Sequence, residues 1–108
     1  MPTAAKTPVT TLVWYYPKSG RAGELTRLVA GHWSTLHRLG LATDRPAQVW
    51  SARDKRSGDP FLVELFEWRD AAASETAHQT PEVMAIWETM GPLLESMKLA
   101  QLDPLPIA

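Results

Sequence analysis

At 108 residues, with 44% hydrophobic and 21% charged positions, the chain has the length and composition of one soluble globular domain with much surface for its volume. The net charge of -1 hides an asymmetry: residues 1–58 hold nine Lys/Arg against three Asp/Glu, about +6, and residues 59–108 hold two against nine, about -7. Cysteine is absent, which excludes disulfide frameworks and thiolate chemistry, and no apolar run approaches the roughly 18 residues of a membrane span; a cytoplasmic protein with no membrane partner is expected.

Met1 to Val9, "MPTAAKTPV", lacks the apolar core of a secretory signal and reads as a flexible lead-in to a single domain over residues 10–105. Thr10 to Tyr16, "TTLVWYY", is a β-branched and aromatic run stopped by "PKSG", a strand entering a loop. From Ala22 the period changes: Leu25, Leu28, Val29, His32, Leu36 and Leu39 recur at steps of three and four, one helical face, with Gly40 placed to end it. His32 lies near the middle of that stripe, Trp33 at its edge and His37 toward solvent.

A second strand is expected over Ala47 to Arg53, and the turn residues of "DKRSGDP" lead into "FLVELFEW", Phe61 to Trp68, so the two form an antiparallel hairpin. Asp70 is positioned to cap a helix from Ala71, and Thr80-Pro81 is a fresh helix start. Val83, Ile86, Trp87, Met90, Leu94 and Met97 continue at helical spacing, Gly91-Pro92 kinks or breaks that helix, and "KLAQLDPL" supplies a short last strand. The order strand, helix, strand, strand, helix, strand is the ferredoxin-like α+β arrangement, a four-stranded antiparallel sheet with helices on one face. In "FLVELFEW" both faces are largely apolar, so helices cover one face and a second copy of the sheet is the economical cover for the other.

The segment "FLVELFEWRDAAASETAHQTPEVMAIWETMGPLLE", a strand ending in Trp, a short helix ending in His, then "TPEV" and "IW", resembles the dimeric α/β-barrel proteins of the antibiotic biosynthesis monooxygenase-like group. The resemblance implies a homodimer whose two sheets face each other, and a ligand held between a monomer's sheet and its helices. The group mixes cofactor-independent oxygenases, haem-degrading enzymes and proteins with no assigned role. The haem branch relies on an asparagine, a tryptophan and a histidine, and this chain has no asparagine, so that reading ranks last.

His32 and His78 are the candidate catalytic residues. His32 either lines a pocket, where an imidazole can accept a proton near neutral pH, or is a packed histidine bonded to a carbonyl or hydroxyl. His78 closes the short helix, where the backbone dipole favours a cation, and the resemblance puts a polar residue there at the rim of a cleft. Trp14, Tyr16, Trp33, Glu64, Trp68 and Trp87 are candidates to hold an aromatic ligand, each with a plain reading as core or interface. Glu64 is the oddest, a carboxylate sharing a strand face with Leu62, Phe66 and Trp68, where it must be paired, solvated or shifted in pKa. No histidine pair has metal-ligand spacing, and no nucleic-acid module gathers the basic residues, so no metal, cofactor or nucleic-acid partner is expected. The reading is therefore a protein of the monooxygenase-like group that binds a small aromatic or otherwise apolar molecule, and the resemblance implies that, if it is an enzyme, it oxidises a phenol or quinol without a cofactor; the alternative is a non-enzymatic ligand-binding or structural dimer.

Overall fold

The first strand, β1 (Val9–Pro17), ends at Pro17, and the chain turns through Gly20, at φ 77°, into helix α1 (Ala22–Arg38). These details come from a computed structural model that describes residues 7–107. Of the expected lead-in, residues 1–6 lie outside the described residues, and β1 begins at Val9.

Helix α1 buries Leu25, Val29, His32 and Leu36, the stripe that its three-and-four spacing predicts. It ends in a Schellman turn: Gly40, at φ 75°, donates its N–H to the His37 carbonyl at 3.0 Å, and Leu41 donates to Leu36 at 2.9 Å. Strands β2 (Gln48–Arg53) and β3 (Pro60–Trp68) form the expected hairpin. In its loop the Asp54 carboxylate accepts the N–H groups of Arg56 and Ser57, both at 2.8 Å, and Gly58 adopts φ 77°.

After β3 the Asp70 carboxylate accepts the Ala72 N–H, so α2 (Ala73–His78) starts two residues later than expected. Helix α3 (Pro81–Met90) begins at Pro81, but the Thr80 hydroxyl bonds back to the Thr76 carbonyl at 2.8 Å instead of capping α3. A 3-10 turn over Gly91–Leu93 ends the helix, and β4 (Leu94–Leu102) follows at once. Leu94 and Met97 are therefore strand residues, not a continuation of the helical stripe. Pro92 has no N–H to extend an α-helical ladder, and an extended chain here pairs with β1 from Thr10 to Pro17.

The strands are antiparallel in the order β2-β3-β1-β4, the ferredoxin-like sheet, with all helices on one face. The helix face buries Thr11, Val13 and Tyr15 of β1 and Leu62, Glu64, Phe66 and Trp68 of β3. Because side chains alternate along a strand, Tyr15 inward sends Trp14 and Tyr16 outward. That corrects the expectation that Trp14 and Tyr16 hold a ligand between helices and sheet: Tyr16 instead stacks on Phe61 at 5.3 Å under Lys98, and Trp14 pairs with Val63.

Neither sheet edge is covered on the helix side as its centre is. Met97 and Leu99 of β4, which pair with Tyr15 and Val13, keep 44% and 63% of their surface exposed. The Gly40 turn gives a direct check on the helix-ending argument. Gly40→Ala should cost about 1–2 kcal/mol, because a β-carbon is disfavoured at positive φ; urea unfolding should show a lower midpoint with an unchanged slope.

Candidate functional site

Glu64 of β3 has no solvent exposure, yet it is a carboxylate on an apolar sheet face. Neighbouring elements bring it two donors. From β1, the Tyr15 hydroxyl donates to Glu64 Oε1 at 2.6 Å. From α1, His32 Nδ1 lies 3.0 and 3.1 Å from the two carboxylate oxygens. The other ring nitrogen, His32 Nε2, accepts the indole N–H of Trp87 from α3 at 3.0 Å.

This last bond decides the tautomer. An indole nitrogen can only donate, so Nε2 carries a lone pair and the ring proton sits on Nδ1, which donates to Glu64. Glu64 thus receives donors at both oxygens, as a carboxylate does. The edge of Phe66 meets the His32 ring at 5.7 Å and 86°, fixing its tilt. Tyr15, Glu64, His32 and Trp87 form one continuous relay through the core, joining two strands and two helices.

Beside the relay, between the helices and the sheet, lies a cavity of about 490 Å³, the size of a small-molecule site. His32, Tyr15, Trp68 and Trp87 form its inner wall, and Met97 and Leu99 line it from the uncovered edge of β4. The cavity exists because the helices cover β1 and β3 but leave β4 open. Its lining is mostly apolar; Thr11, Asp70, Ser74, His78 and Gln101 add polar groups. Among the described residues no Lys or Arg lines it.

The expected site residues divide. His32, Trp68, Trp87 and His78 meet at the cavity, with His78 exposed on its rim and its ring 4.8 Å from that of Trp87. Glu64 does not reach the cavity and stands behind Tyr15 and His32. Trp33 turns away, stacked on His37 at 4.7 Å, with its buried Nε1 lacking a hydrogen-bond partner among the described residues. His37 is partly exposed and bonds Asp44 at 2.7 Å. Tyr15 was missed because which face of β1 turns inward is set by its pairing with β3. The signal available was Glu64, whose inward position called for a donor on a neighbouring strand.

Burial first, then the charge of Glu64 and the hydrogen bond to it, push the Tyr15 phenol far above its ordinary value. The folded chain therefore keeps a proton that the unfolded chain releases near pH 10, roughly the ordinary phenol value. This contribution to stability is complete below about pH 10 and is lost as the pH rises further. Urea unfolding across about pH 8 to 11 should show that decline, and Tyr15→Phe should begin less stable but lose less of its stability over the same range.

No protein-family model matches the chain, and no curated protein matches it in sequence. Solved structures do match in fold. SnoaB, a cofactor-independent oxygenase from Streptomyces nogalater, superposes with a TM-score of 0.68 at 12% identity, covering 93% of this chain and 95% of its own. An antibiotic biosynthesis monooxygenase gives 0.68 at 14% identity, over 91% and 99%. A dimeric ferredoxin-like protein of unknown function from Jannaschia sp. CCS1 gives 0.68 at 16% identity, over 91% and 100%. Over almost its full length, this chain has the ferredoxin-like fold of the antibiotic biosynthesis monooxygenase-like proteins.

Proposed function

We propose that the protein binds a small aromatic or otherwise apolar molecule in the cavity between helices and sheet, and that His32 takes the proton of a phenol or quinol held there. The observation that carries this reading is the Glu64–His32 pair at the wall of an apolar cavity. The carboxylate holds Nδ1–H, so the ring's acceptor is Nε2, the atom through which a histidine can take a proton. The electron-rich anion left in the cavity then gives two electrons to dioxygen when a quinol becomes a quinone, with hydrogen peroxide as the reduced product; a phenol oxygenated to a quinone instead keeps one oxygen atom and releases the other as water. One of the proteins similar in fold is a cofactor-independent oxygenase, which is in keeping with oxidation that needs no cofactor.

A non-enzymatic ligand-binding protein is the second reading, and one observation favours it: both ring nitrogens of His32 are already engaged, one by Glu64 and one by Trp87. Oxygen uptake with a panel of quinols separates the two. If His32 is the base, His32→Gln should lower the rate about 10²- to 10⁴-fold while ligand affinity changes only a few-fold. A wild-type protein that binds quinols without consuming oxygen supports the binding reading instead, and a loss confined to His78→Ala moves the base to His78.

The outer sheet face supports a homodimer. Leu12, Trp14, Tyr16, Val63 and Leu65 lie half-buried on it, and Trp50 is 46% exposed, an apolar surface of the kind a second sheet covers. Light scattering after size exclusion should give twice the chain mass, and Trp50→Asp should shift the protein toward monomer. A wild-type monomer at micromolar concentration would sink the barrel assembly.

A further inference from the structure

His32 lines the cavity, and its single acceptor, Nε2, is held by Trp87, which lines the cavity as well. Trp87 is only partly buried, lines the cavity, and its ring is flanked on one side by that of His78. We infer that the Trp87 indole N–H holds the seat of a ligand hydroxyl, and that the ligands of this cavity are uncharged aromatic molecules bearing an O–H donor, which bind by displacing Trp87 from His32 Nε2. This rests on the reading of the cavity as a site for a phenol or quinol and deepens it by naming the residue that gives way and the charge the site excludes.

The chemistry of the relay selects the ligand. An incoming group must replace a donor with a donor, because Nε2 carries a lone pair while Glu64 holds the Nδ1 proton. A phenol or enol hydroxyl can do so. A carboxylate, with acceptors only, cannot, and it would bring a second negative charge toward the buried Glu64. Of the remaining titratable lining, Asp70 is itself acidic and is bonded by Arg69, His78 stands exposed on the rim where solvent screens any charge on its ring, and no Lys or Arg among the described residues lines the cavity. Exchange of one donor for another leaves no buried acceptor unpaired, and the freed indole N–H can turn to water at the exposed side of Trp87. Trp87 therefore also keeps the empty site from stranding a buried nitrogen.

Two measurements on the full chain test this, with 2-naphthol and 2-naphthoate as probes at neutral pH. By calorimetry the wild type should bind 2-naphthol, with 2-naphthoate about tenfold weaker or more. Trp87→Phe keeps an aromatic ring but removes the competing donor, so it should bind 2-naphthol about 2- to 10-fold more tightly, the worth of one net hydrogen bond. A purely packing role for Trp87 predicts weaker binding in that variant. The second measurement needs no variant to be stable. In the NMR spectrum of the wild type, 2-naphthol should shift the Trp87 indole N–H resonance and speed its exchange with solvent. Saturation by 2-naphthol with that resonance unmoved, or equal affinity for the two probes, overturns the inference alone. Failure of 2-naphthol to bind either protein overturns the ligand-site reading together with it.

Discussion

A carboxylate with no access to water stands on the apolar face of the sheet, and the rest of the interior is arranged around satisfying it. Glu64 draws Tyr15 from the adjacent strand and His32 from the helix above, and His32 in turn draws Trp87 from α3. Stranding a buried charge by removing one partner typically costs about 3–5 kcal/mol, far more than the pair contributes over an apolar replacement. The relay is thus weak evidence for stability and strong evidence for a fixed geometry. It locks the Tyr15 face of β1 inward and the His32 ring in one tautomer.

The cavity follows from a mismatch between sheet and helices. Four strands are wider than the helical layer, so the side chains of β1 and β3 are buried while Met97 and Leu99 on β4 are not. What would otherwise be a filled helix–sheet layer becomes a mostly apolar pocket with scattered polar groups. The relay adds Tyr15, His32 and Trp87 to its wall, so part of the pocket's polar chemistry follows from how the core is satisfied.

The charge asymmetry along the chain resolves in part within the monomer. Arg38 pairs with Glu82 and Arg45 with Glu67, each joining the basic first half to the acidic second. Both basic partners are exposed, so these pairs contribute little to stability and mainly hold α1 against α3 and the β2 approach against β3.

The sequence by itself determined the elements and their order. Local spacing is enough to do so: the three-and-four stripe of α1, the glycine that ends it, the hairpin and the Thr80-Pro81 start all depend on residues within a few positions of one another. It also marked His32 and Glu64 as anomalies on apolar faces. That they answer each other across 32 positions of sequence was beyond it, as was the inward turn of Tyr15 in place of Trp14 and Tyr16. Strand register and the placement of a helix over particular strands are long-range pairings, and a slip of one residue reverses every side chain. The tertiary structure alone set His32 both in the core's relay and on the wall of the cavity.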